Sequence, residues 1–84
     1  MKKYVYVVLI RHRQSDTTDL LGVARSFEKA KTLINTLNGT VKIIVCDTGN
    51  IERKEIHTAW FEIELNNELG NNRYFIRIIK QAVE

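Results

Sequence analysis

The stretches Tyr4–Ile10 (YVYVVLI), Val41–Cys46 (VKIIVC) and Tyr74–Ile79 (YFIRII) carry apolar residues at odd and even positions alike. A strand with one wet face alternates apolar and polar residues, whereas a near-continuous apolar run implies burial on both sides. Against these three strands the chain offers one good amphipathic helix, Ser26–Leu37. One helix covers one face of a small sheet. The other face therefore calls for a second layer from this chain, a twin subunit or a foreign partner.

The remaining elements follow from local signals. The polar segment His12–Asp19 reads as a loop, and Leu20–Ala24 as a short strand hairpinned to the first. Gly22 inside it marks a bulge or a close approach of the following helix. Ser26 is placed as the helix N-cap, with Glu28 in the first turn where the positive dipole end favours it. Phe27, Ala30, Leu33, Ile34 and Leu37 make one helical stripe, and Asn38-Gly39 supplies the stop.

A third strand spans about Thr40–Cys46, followed by the turn signal Asp47-Thr48-Gly49-Asn50. Ile51–Ile56 reads equally as a polar edge strand or a turn or two of helix. From His57 the alternation is strand-like, setting Ala59, Phe61, Ile63 and Leu65 against Thr58, Trp60, Glu62 and Glu64. Asn66–Asn72 reads as a loop and Arg73–Lys80 as the last strand. The order expected is β-β-α-β-β-β. That is an α+β domain over residues 1–84, with a mainly antiparallel sheet of four to five strands and one helix on one face.

Length and composition agree with one small globular unit. The chain has 84 residues, 44% hydrophobic and 27% charged, with no proline. Net charge is +3, but the first 42 residues hold eight Lys/Arg against three Asp/Glu, and the rest five against seven. Such asymmetry suits electrostatic steering toward a partner. It lacks the dense basic patch of a dedicated nucleic-acid binder. Lys2-Lys3 before an apolar run imitates a signal peptide, yet the run stops at Arg11-His12-Arg13 without a small-residue cleavage site. The single cysteine, Cys46, gives no sign of an oxidising compartment, so a cytoplasmic, membrane-free protein is expected.

Catalytic readings find little support. Asp47-Thr48-Gly49 after an apolar strand resembles the signature of retroviral-type aspartic proteases, where two subunits share a carboxylate pair. The flap hairpin and the apolar-apolar-glycine motif of that family are missing, and Asp, Thr and Gly are ordinary turn residues. His12, Cys46 and His57 lack metal-ligand spacing, so no metal and no cofactor is implied. Cys46 reads as a small buried residue and His57 as structural. Glu62 and Glu64, two apart on one strand face, read as a solvated acidic surface rather than an acid–base pair.

Binding readings fare better. Trp60 lies by alternation on the face opposite Phe61, where it reads equally as an interface anchor, a frequent role of an exposed tryptophan, or as part of a second, smaller core cluster with Ile51 and Ile56. Arg11 and Arg13, with Lys2 and Lys3 at the far end of the same strand, form the main basic feature. Arg73 and Arg77 join it if the last strand lies beside the first. Tyr4 and Tyr6 on one face resemble the stacking aromatics of sheet-based single-strand RNA readers, although two aromatics on a central strand are usually core.

The stretch Leu21–Ala30 (LGVARSFEKA), a strand ending in Gly-Val and leading through a serine cap to Glu-Lys-Ala, resembles a pattern common in small phage and prophage proteins. Several such groups inhibit bacterial defence systems, among them the anti-CRISPR proteins, by occluding a binding surface. The resemblance implies a stoichiometric binder and transfers no functional residue. The function expected is a non-catalytic protein-binding module, with a phage-derived inhibitor of a nucleic-acid enzyme as its narrower form. Trp60, Glu62, Glu64, Arg11 and Arg13 are its contact residues, and a homodimer is one way to cover the surplus face. The alternative is a small nucleic-acid-binding protein using the basic N-terminal half.

Overall fold

The computed structural model describes residues 3–47 and 58–83. Five strands are found among them: β1 (Lys3–His12), β2 (Thr18–Ala24), β3 (Thr40–Asp47), β4 (Thr58–Asn67) and β5 (Gly70–Val83). They form one sheet in the order β2-β1-β5-β4-β3, antiparallel at every junction. Between β2 and β3 in sequence comes α1 (Phe27–Leu33), prolonged by a 3-10 turn over Ile34–Thr36. The expected α+β fold with one helix on one face is what forms. Lys2, the Thr48-Gly49-Asn50 turn, the Ile51–Ile56 segment and His57 lie outside the described residues.

The helix starts where its cap dictates. Ser26 is extended, and its hydroxyl accepts a hydrogen bond from the Lys29 amide at 3.2 Å. Phe27, Ala30 and Ile34 are buried, and the half-buried Leu33 and Leu37 pack beside them. Beneath them lie Tyr6 and Val8 of β1, Ile76 and Ile78 of β5, and Ala59, Phe61 and Ile63 of β4. The end differs from the expected Leu37: regular α-helix stops at Leu33 and the last turn tightens to 3-10, a common way for a helix to finish.

Gly22 serves both roles expected of it. Leu21 is the extra residue where the β1–β2 register slips, and a Cβ on Gly22 would come within 2.8 Å of a Leu33 methyl. The helix can therefore settle closely onto β2.

Three sequence expectations need correction. Val41–Cys46 is an edge strand, not a doubly buried one: Ile43 is 52% exposed, and Ile44, Val45 and Cys46 are exposed with it. The reason is reach. A single α-helix with its side chains is about 10 Å across, whereas five strands about 4.8 Å apart span roughly twice that. The helix packs on β2 and β1, and a groove lined by Lys31, Ile34, Val41 and Ile43 separates it from β3.

Second, Cys46 is accordingly not a buried residue. Third, Asn66–Asn72 is no loop: β4 and β5 run on to a tight turn at Glu68-Leu69, where Asn67 Oδ1 accepts from the Leu69 amide at 2.9 Å. Strand β5 is thereby lengthened to 14 residues. Tyr6, as is usual for an aromatic on a central strand, is core, tilted against Phe27 with ring centroids 6.2 Å apart. Tyr4 on the same face lies under the buried Lys80, whose Nζ is 4.4 Å from the ring centroid. Neither is a base-stacking platform.

Candidate functional site: the open face of the sheet

Alternation fixes which side chains face away from the helix. On β1 these are Val5, Val7, Leu9 and Arg11, and on β5 Arg73, Phe75, Arg77 and Ile79. Strand β4 adds Thr58, Trp60, Glu62 and Glu64; β2 adds Thr18, Leu20 and Val23. Among the described residues no helix or strand lies over this side.

Cross-strand pairing sorts the face into two ends. Val23, Val7 and Ile79 form one row across neighbouring strands, with Leu20 and Leu9 in the next. Trp60 is paired with Arg77 and stands 40% exposed; Leu20 and Val23 are 62% and 54% exposed. The other end is charged. Arg11 pairs with Phe75, Phe75 with Glu62, and Arg73 with Glu64.

The residues expected at the contact surface are brought together in part. Trp60, Glu62, Glu64 and Arg11 all share this face. Arg13 lies in the turn beyond β1, exposed, with its amide donating to the Arg73 carbonyl at 3.1 Å. Arg11 and Glu62 sit on strands separated by β5, one on each side of Phe75 in the same cross-strand row.

The two carboxylates are engaged within the chain. Glu62, half-buried, pairs with Arg73 at 3.7 Å, and Glu64 accepts a hydrogen bond from the Asn71 side-chain amide. Arg11 lays its guanidinium over Phe75, 5.3 Å from the ring centroid. Leu9, Arg11, Thr18, Phe75 and Arg77 together line a depression of about 140 Å³.

Arg77 joins Arg11 as expected if the last strand lies beside the first, which it does; Phe75, Leu9 and Thr18 were not singled out from sequence. The alternation Tyr74, Ile76, Ile78 on one face puts Phe75 and Arg77 on the other, which is a usable signal. Their convergence with Arg11 depends on β5 pairing with β1, a long-range fact.

For chemistry the face offers charge, a ring and apolar area. Among the described residues no cluster of three or more His, Cys, Asp or Glu is arranged to hold a metal, and no helix is long and apolar enough to cross a membrane. Compared with known families, curated proteins and solved structures, the chain matches none.

Proposed function

We propose that this protein is a non-catalytic binding module whose open sheet face is the contact surface for a protein partner. The observation that carries this reading is the row of apolar side chains, Val7, Leu9, Leu20, Val23 and Ile79, standing beside the exposed Trp60 with no second layer among the described residues. Large apolar patches rimmed by polar residues mark interaction sites, and aromatic and arginine residues dominate the energetics of such surfaces. Trp60, Arg11, Glu62 and Glu64 share the patch; Arg13 lies at its margin.

Within that class, the narrower reading is a phage-derived inhibitor that occludes a nucleic-acid enzyme of a host defence system. It rests on the strand-to-helix pattern around Ser26 and on Glu62 and Glu64 as stand-ins for phosphates. The Arg73–Glu62 pair weakens that mimicry, since one of the two carboxylates is already partly neutralised.

The test compares affinity capture by the native chain, by the Trp60→Ala/Glu62→Lys/Glu64→Lys variant and by Asn35→Lys on the outer helix face. Circular dichroism serves as the folding control. The open-face variant should lose the captured protein and the helix variant should keep it. Capture indifferent to the open face overturns the reading.

A second reading, nucleic-acid binding through the basic N-terminal half, is favoured by Arg11, Arg77 and Phe75 lying together. It predicts a steep loss of affinity with salt. A mobility-shift assay with single-stranded DNA and RNA at two salt concentrations tests it directly.

A further inference from the structure

The depression between β2, β1 and β5 combines features that a merely apolar face does not need. Arg11 and Arg77 both point into it, and among the described residues neither has a carboxylate within ion-pairing distance. Thr18, the cross-strand neighbour of Arg11, adds a hydroxyl at the rim, and Leu9 and Phe75 form the walls. The Arg11 guanidinium is already held by its contact with Phe75, so little side-chain freedom is lost when it meets an anion.

We infer that this depression is an oxyanion site that receives an aspartate or glutamate side chain of the partner, with Trp60 and Leu9 taking the apolar residues beside it. The inference rests on the open face being the contact surface and names the chemistry of what docks there. Two planar guanidinium forks match a carboxylate in charge and shape. A depression of about 140 Å³ is large enough for one such group. The sign of the neighbours selects the source. Glu64 on β4, with Glu62 partly neutralised by Arg73, disfavours a polyanionic backbone running across the sheet, whereas a single carboxylate seated at Arg11 on β1 stays two strands from it.

The experiment follows the amide resonances of the full chain during three titrations: a short leucine–glutamate peptide, its leucine–glutamine counterpart and oligothymidylate. Arg11→Gln, Arg77→Gln and the double variant are titrated in parallel. Light scattering monitors self-association.

The acidic peptide should shift Leu9, Thr18, Phe75 and Arg77 saturably and bind about tenfold more weakly in either single variant. Equal binding of the two peptides overturns the oxyanion site while leaving the open face as the contact surface. No peptide shift on β1, β5 or β4 overturns both. Oligothymidylate binding that outcompetes the peptide assigns the arginines to phosphate. A native dimer that dissociates in the double variant assigns them to a second copy of this chain. Either result also overturns the inference.

Discussion

The backbone at Gly39 passes so close to Asn66 that a Cβ there would lie 2.6 Å from the Asn66 carbonyl oxygen. Gly39 also holds a φ of +140°, a region that side chains disfavour. The clash is with backbone, which cannot swing aside. Gly39→Ala should cost about 2–3 kcal/mol, and Gly22→Ala, which meets only the tip of Leu33, less than about 1 kcal/mol. Urea unfolding of the two variants gives the comparison, and equal losses would contradict it.

The centre and the edge of the sheet should respond unequally to the same truncation. Ile63 is fully buried at the centre of the core, so Ile63→Ala should destabilise by about 2–5 kcal/mol. Ile43→Ala on the exposed edge should cost about 1 kcal/mol or less. Thermal unfolding of both decides whether β3 is as peripheral as its exposure indicates.

Removing the cap hydroxyl should shorten or fray the helix. Ser26→Ala leaves the Lys29 amide without its acceptor, for an expected loss of about 1 kcal/mol. Ser26→Asp retains an acceptor and a favourable charge at the same end, so it should be close to neutral. A helical circular-dichroism signal unchanged in the alanine variant, with unchanged stability, would remove the cap from the account.

Strand β3 presents its outer edge unpaired among the described residues, with Ile43, Ile44 and Val45 exposed in succession. Such an edge invites pairing between copies. Lys42 and the register slip at Ile44 are its visible protections. Val45→Lys adds a charge opposite Glu62, which favours the native register while discouraging edge pairing. Turbidity on warming should fall in this variant with native stability unchanged or slightly raised; unaltered turbidity would place the aggregation-prone segment elsewhere.

The helix, the bulge at β2 and the alternating strand β4 were legible because each is specified locally. Ser26 needs only the next three residues to cap, and Ala59, Phe61, Ile63 and Leu65 declare their shared face by period alone. Trp60 fell on the outer face for the same reason. The misreading of Val41–Cys46 shows the limit of that logic: an apolar run reports what a strand tolerates, while its burial depends on whether α1 reaches that far. The association of Arg77 with Arg11 was expected only on condition that the last strand lies beside the first, and Phe75 was not part of it, for a related reason. Arg11 lies more than sixty residues from Phe75 and Arg77 in sequence, and only the β1–β5 register brings them together.

That register bears on synthesis. Strand β1 sits inside the sheet, flanked on one side by β2 and on the other by β5, with Lys3 opposite Val83. A nascent chain on the ribosome can close the β1–β2 hairpin early, but the inner flank of β1 stays unzipped until β5 has been made. Closing so wide a loop is slow, and an unpaired Val- and Ile-rich strand is adhesive meanwhile. Escort by a chaperone that shields short apolar segments during translation would meet that interval.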